Sequence, residues 1–251
     1  MVEERDVSCL LSELRETFKN GRTRSLEWRK SQLQAMLNML THQEQSCFQA
    51  IDHDLGKTKV EAFKDEIGPV RKSINYALSC LKDWMAPKKA GIRLLFYPAK
   101  AAVISEPYGL VLIITSWNYP LQLALEPLIG AIAAGNVVVI KPSEIAPATS
   151  SFLANTIPLY LDSSAIKIIE GGSDTTQQLL QHQWDKIFYT GSINQFRLNF
   201  LVNETICTMS NFLSFWVKLK LYTLIRESQG GKNNHDGSCK TSNSCDFGAW
   251  W

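Results

Sequence analysis

The chain has 251 residues, 45% of them hydrophobic and 20% charged, with a formal net charge of +2. That composition can bury a large core and excludes collagen, coiled coil and wholesale disorder, while so small a charge argues against nucleic acid or a membrane surface as partner. No apolar run is long enough to span a bilayer, the acidic amphipathic start MVEERDVSCLLSELRE is neither a signal nor a transit peptide, and six scattered cysteines make no disulfide framework, so a cytoplasmic location is expected.

Residues 1–90 read as a helical segment. Leu10, Leu11, Leu14 and Phe18 recur at helical spacing, and Asn20-Gly21 stops them. From Ser25 one long helical pattern runs through Trp28, Leu33, Met36, Leu37 and Leu40 to about Leu55, where Gly56 ends it. Ile67, Val70, Ile74, Ala77, Leu81 and Trp84 form a third stripe, closed by Pro87. The charged residues here, Arg22, Arg24, Arg29, Lys30, Asp65 and Glu66, read as solvated faces. Nothing in these helices points to a site.

Residues 91–192 alternate. GLVLIIT (109–115) is a continuous apolar run of strand length, the mark of a strand buried on both faces. A helix follows, with Pro120 suited to its first turn and Gly135 to its C-terminal turn. VVVIKP (137–142) is the next strand, followed by a helix from about Thr149, the strand AIKIIEGG (165–172), a helix through Leu179-Leu180, and the strand KIFYTGS (186–192). Strands and helices in strict alternation predict a doubly wound parallel sheet of the α/β class, Rossmann-like, with the N-terminal helices beside it. Ligands of such sheets bind beyond the carboxyl ends of the strands, here TSWNYP, KPSE, EGGSDT and YTGS.

After Ser192 the alternation fails. Apolar and β-branched residues follow without a sustained period, and GGKNNHDGSCKTSNSCDFGAWW has a disordered composition, so 193–251 is expected to be a largely unstructured, aberrant tail. A sheet that ends on an unfinished strand and turn has lost its next helix. His235, Cys239 and Cys245 fit no zinc spacing, and no metal site is expected.

No G-x-G-x-x-G follows any of these strands. Gly191-Ser192 is the nearest substitute, since glycine admits a phosphate to the backbone and a helix N-terminus offers it N–H groups. Lys141 and Glu144 suit a ribose, one as donor and the other as acceptor, although an ordinary turn into a helix explains KPSE more economically. Asn118, at a buried strand's end, can aim its amide at an oxygen that turns negative during reaction. It could equally cap the helix that starts after Tyr119. Trp117 and Tyr119 read first as packing residues.

Six motifs in order, SEPYG (105–109), SWNYP (116–120), PLIGAIAAGN (127–136), KPSE (141–144), IEGG (169–172) and HQWDKIFYTGS (182–192), closely resemble the NAD(P)-dependent aldehyde dehydrogenases. GRTRSLEWRK (21–30) and LLFYPAK (94–100) resemble the class 3 branch, especially its plant members. The resemblance implies NAD or NADP as cofactor and a small-molecule aldehyde as substrate. It makes Asn118 the oxyanion amide, gives the adenosine ribose to Lys141 and Glu144, lines the cofactor cleft with Thr115 and Trp117, and sets Gly191 and Ser192 beside the pyrophosphate. In that family a cysteine nucleophile forms a thiohemiacetal, hydride passes to nicotinamide, and a glutamate base assists thioester hydrolysis. Those two residues lie in segments resembling LELGGK and GQxC, and neither segment occurs in this sequence. Cys207, Cys239 and Cys245 match no part of the nucleophile motif.

The tail suggests why. Trp250-Trp251 is encoded TGG TGG, and every stop codon begins with T, so one nucleotide later the triplets are forced to GGT GGT, Gly-Gly. Phe247, Gly248 and Ala249 permit Leu-Glu-Leu before them, which spells LELGG, and the overlaps back to Ser228 each permit the family residue. This pattern is expected of an intron kept between the codons for Ser192 and about Glu227, with the next exon read out of frame. Three functions follow: a truncated, silent aldehyde dehydrogenase; a regulatory or nucleotide-binding fragment that acts as dimer partner of the full-length enzyme; or an unrelated α/β binding domain.

Overall fold

The computed structural model describes residues 4–91, 101–191, 206–208 and 225–228. The N-terminal layer comprises α1 (Glu4–Lys19), α2 (Leu26–His42), α3 (Glu44–Leu55), the single turn α4 (Lys59–Ala62) and α5 (Gly68–Met85), with a π-helical turn, Phe63–Ile67, between the last two. There follow β1 (Lys88–Ala90), β2 (Ala101–Pro107), β3 (Leu110–Ile114), α6 (Pro120–Ala134), β4 (Val137–Lys141), α7 (Pro147–Tyr160), β5 (Ile166–Ile168), α8 (Ser173–Leu180), β6 (Lys186–Tyr189), β7 (Ile206–Thr208) and β8 (Ile225–Ser228).

The expected alternation is present. β3 and β4 are buried along their whole length, as continuous apolar runs require of strands covered on both faces. The parallel sheet has the order β5-β4-β3-β6-β7. The steps β3 to β4 and β4 to β5 run one way, and the chain then returns past β3 to form β6. Right-handed crossovers therefore set α6 and α7 on one face and α8 on the other, and the direction of winding reverses between β3 and β6.

Several features depart from the expected pattern. The long helix from Ser25 is two helices, because Gln43 leaves helical geometry at φ −103, ψ 17 and gives its side-chain amide to the Tyr160 hydroxyl at 3.3 Å. The break fits the α2–α3 corner to α7. A small antiparallel sheet, β1-β2-β8, lies beside the parallel one. Within the segment after Ser192, which is expected to be largely unstructured, Ile206–Thr208 pairs with β6 and Ile225–Ser228 with β2 as short strands. An open sheet edge offers unpaired N–H and C=O groups that accept almost any extended chain, whatever its side-chain pattern.

α6 lies between the sheet and the N-terminal helices. Every residue of it except Leu123 and Glu126 is buried, as its apolar sequence predicts. Its C-terminal carbonyls therefore need protein donors. Arg29, expected on a solvated face, supplies them: it is only 6% exposed and donates to Ala133 O at 3.0 Å, while Thr23 donates to Gly135 O at 2.6 Å. A cation is the favoured charge at this end of a helix. Burial, and secondarily Arg24, lowers the Arg29 pKa to about 10, which leaves it charged at neutral pH. Gly135 turns with φ 87, and a Cβ there would lie 2.5 Å from the Arg29 guanidinium.

Asp162, after α7, forms the second fastening. Its carboxylate accepts from Arg22 at 2.7 Å and Trp28 Nε1 at 2.9 Å, and its amide donates to Gln32 Oε1 at 2.7 Å. Burial pushes this carboxyl up, but Ser164, Trp28 and Arg22 outweigh it and hold the pKa down at about 2, from an ordinary 3.8. A depressed carboxyl stabilises the fold above its unfolded pKa and loses that contribution as pH falls through its folded one. Urea midpoints of the unaltered chain and Asp162→Asn should therefore differ at about pH 5 and converge toward about pH 2. Gly135→Ala should cost about 3 kcal/mol, from positive φ plus displacement of Arg29. Gly56→Ala, at φ 64 with no atom within 4 Å of the added Cβ, should cost only about 1 kcal/mol in the same urea titration.

Candidate functional site

The point at which the winding reverses gathers three strand ends. Ile114 stands in register with both Lys141 and Tyr189, so β3, β4 and β6 finish level. The Thr115 amide donates to Lys141 O at 3.2 Å and the Thr190 amide to Ile114 O at 2.9 Å. Among the described residues the buried hydroxyl oxygens of Thr115 and Thr190 have no hydrogen-bond partner. The crevice beside such a reversal is where doubly wound sheets bind ligands.

At the end of β4, the Lys141 ammonium donates to Glu144 Oε2 at 2.6 Å. The lysine side chain is 3% exposed and the glutamate 45%, so a buried cation carries a carboxylate that faces solvent. Burial raises the Glu144 pKa, but the hydrogen bond and charge of Lys141 outweigh it and hold the carboxyl below its ordinary range. KPSE is also a turn into a helix, with the Ile145 amide on Ser143 Oγ at 3.3 Å. The turn and the ion pair coexist. Burial and the charge of Glu144 raise the Tyr189 pKa. A Cβ on Gly191 would come within 2.7 Å of the Tyr189 hydroxyl, so this turn has room only for glycine unless the ring moves. Ser192 and LLFYPAK (94–100) lie outside the described residues.

The end of β3 argues against one reading of Asn118, the helix cap. Its side chain is exposed and caps nothing: Oδ1 accepts the Ser116 hydroxyl at 2.7 Å, and the residue before α6 is Tyr119, which makes no side-chain cap. The first turn of α6 is served instead by Glu66, from the π-helical turn. Its Oε2 accepts the Leu121 amide at 3.0 Å and the Gln122 amide at 3.4 Å, while Oε1 takes the Lys57 ammonium at 2.8 Å. Glu66 is fully buried, contrary to its expected place on a solvated face. Burial raises its pKa, opposed by Lys57 and the two amides. Trp117, expected to pack, is 49% exposed at the strand end, and Tyr119 lies beneath Lys57, whose Nζ is 4.1 Å from the ring centroid.

α7 begins in the same way. It has no side-chain cap of its own, and the buried carboxylate of Asp54 accepts the Ala148 amide at 3.0 Å and the Thr149 amide at 2.7 Å. The signal in the sequence was indirect: Tyr119-Pro120 and Ala146-Pro147 start helices without a capping side chain, so the cap has to come from elsewhere.

Other motif residues stay away from the site and set the sheet. Asn136 Oδ1 accepts the Gly109 amide at 2.9 Å, and Asp185 Oδ2 accepts the Leu110 amide at 2.7 Å, both at the opposite ends of the strands.

The sequence profile of the Aldehyde dehydrogenase family matches residues 2–198, and the chain belongs to this family. It is 58% identical over 182 residues to aldehyde dehydrogenase family 3 member F1 of Arabidopsis thaliana, an alignment covering 72% of this chain and 38% of that protein. An aldehyde dehydrogenase of Craterostigma plantagineum is 50% identical, with 74% and 39% covered. The substrate-bound state of Staphylococcus aureus AldH superposes with a TM-score of 0.75 at 40% identity, covering 76% of this chain and 42% of that one. The chain thus spans about two fifths of the length of the relatives it matches. Family 3 relatives bear out the branch read from GRTRSLEWRK and LLFYPAK.

The cap assignment is testable by equilibrium unfolding. Asn118→Ala should leave stability within about 0.5 kcal/mol, whereas a true N-cap would lose about 1 kcal/mol. Glu66→Ala should cost about 3–5 kcal/mol, because it strands both Lys57 and the amides of α6.

Proposed function

We propose that this chain carries the cofactor-binding part of an NAD(P)-dependent aldehyde dehydrogenase of family 3, an oxidoreductase that acts on small-molecule aldehydes in the cytoplasm. The observation that carries the reading is the level gathering of Thr115, Lys141 and Thr190 at the reversal of the sheet, with Asn118 beside them on an uncapped, exposed turn.

The residues fit a dinucleotide. Two buried hydroxyls lack partners, glycine occupies a spot that a Cβ would crowd, and a buried ammonium supports a solvent-facing carboxylate. Lys141 and Glu144 would hold the adenosine ribose as donor and acceptor. Thr115 and Trp117 would line the cleft, and Gly191 and Ser192 would admit the pyrophosphate to the backbone. When bound, NAD or NADP supplies a hydride acceptor. Asn118 Nδ2 donates to the aldehyde oxygen as it becomes negative, in an orientation that Ser116 sets by holding Oδ1.

By itself the chain does not oxidise aldehydes. Of the cysteines among the described side chains, Cys9 lies exposed on α1 and Cys80 half-buried on α5, neither of them at a strand end. Cys47 is buried in α3, where burial and then Glu44 push its thiol up to about 12. Covalent catalysis needs a thiolate beside the nicotinamide. We attribute the missing LELGGK and GQxC segments to a retained intron after the codon for Ser192, and genomic sequence lacking splice signals there would refute that origin.

Reduction of NAD at saturating aldehyde should show no turnover with the purified chain. A frame-corrected protein, with the insert removed and the downstream exons read in register, should gain it, and Asn118→Ala in that protein should lower kcat by about 10²–10³-fold. Turnover by the unaltered chain that vanishes on Cys207→Ser, Cys239→Ser or Cys245→Ser would overturn this reading.

A further inference from the structure

Lys57 follows Gly56, whose left-handed conformation ends α3 and turns the chain toward the start of α6. Its ammonium reaches three groups on two segments of the chain. It donates to Glu66 Oε1 at 2.8 Å and to the backbone oxygen of Asn118 at 3.3 Å, and it stands 4.1 Å from the centroid of the Tyr119 ring. The Lys57 side chain is 18% exposed and Glu66 is fully buried, so the pair is largely shielded from solvent screening. A second clamp is local, with the Ser116 hydroxyl on Asn118 Oδ1 at 2.7 Å. Backbone oxygen and side-chain oxygen of Asn118 are thus both engaged, and among the described residues its Nδ2 is the side-chain polar atom left without a partner.

Neutralising Glu66 needs only the first of these contacts. The carbonyl and ring contacts fall on the two residues that lead from the strand end into α6, and an ammonium with three donors can serve carboxylate and carbonyl together. We propose that Lys57 is a positioning residue for Asn118: it ties the 116–119 turn to the buried Glu66 cap, so that the Asn118 amide points one way before any ligand arrives. The inference rests on Asn118 being the oxyanion donor for its meaning in catalysis, but the turn's order is measured without catalysis. Preorganisation of this kind is how a donor contributes at the moment charge develops.

The side-chain amide signal of Asn118, assigned by its loss in Asn118→Asp, reports the order of the turn by heteronuclear NOE in the full chain. In the unaltered chain, cross-peaks should connect the non-exchanging Lys57 ε-methylene protons with the Tyr119 ring protons. Their absence overturns the proposal without any variant. Lys57→Met should lower the Asn118 NOE to that of ordinary exposed asparagines. The double variant Lys57→Met/Glu66→Gln, which removes the stranded charge and keeps an acceptor for the α6 amides, should recover the thermal midpoint while the Asn118 NOE stays low. Lys57→Arg should recover part of the NOE. Recovery of both stability and NOE in the double variant would show that Lys57 only neutralises Glu66 and would sink the idea. If Asn118→Ala left kcat unchanged in the frame-corrected protein, the oxyanion reading would fail while the NOE results on Lys57 stood.

Discussion

A helix whose first and last residues are buried must satisfy its ends within the protein, and α6, buried everywhere but at Leu123 and Glu126, is such a helix. Pro120 has no N–H to offer, so the amides in need at the start of α6 are those of Leu121 and Gln122, and at its finish the turn through Gly135 and Asn136 meets the Ala131 and Ile132 carbonyls but not that of Ala133. Glu66 meets the Leu121 and Gln122 amides and Arg29 the Ala133 carbonyl, each with the charge that the helix dipole favours at that end. Without these groups, seating α6 between sheet and helical layer would leave orphaned backbone groups in the interior, at about 1–3 kcal/mol apiece. The α/β unit therefore depends on side chains that come from the helical layer.

This dependence reaches the strand ends. The residues that lead into α6 are those that carry Asn118, and the residues that lead into α7 follow Lys141 and Glu144. Glu66 fastens the first connection and Asp54 the second. Both carboxylates come from the helices that showed no site in the sequence. The strand-end face is thus held from behind, by groups of the helical layer. A division at residue 90 separates two patterns of sequence. It does not separate two cores, since one continuous hydrophobic cluster runs from Leu14 and Ile74 to Val139 and Phe188.

What the sequence made legible was local. The apolar runs of β3 and β4, the glycine after α6 and the strand-end motifs are each written within a few residues, and the sheet and the edge where its strands end follow from them. Arg29 and Glu66 were misread because the groups that make them interior lie far along the chain, at Ala133 and at Leu121. Charge at helical spacing looks the same whether its partner is water or a helix end. Glu66 had a further disguise: the π-helical turn shifts the helical phase just there, burying Glu66 together with Ile67. The break at Gln43 is equally hidden, since its side-chain partner is a tyrosine hydroxyl on α7.

Hydrophobic burial has no sense of direction, and an apolar helix could lie on its neighbours either way round with similar area covered. The charges remove that freedom. The helical layer presents a carboxylate at one end of α6 and a guanidinium at the other, so its own charge distribution runs antiparallel to the helix it covers. Docked in reverse, the guanidinium would meet the amides and the carboxylate the carbonyls, two repulsions in a dry interface. The layer is polarised as well as apolar, and since the β3–α6–β4 crossover fixes the direction of α6, that polarity selects which way round the helical layer lies on it.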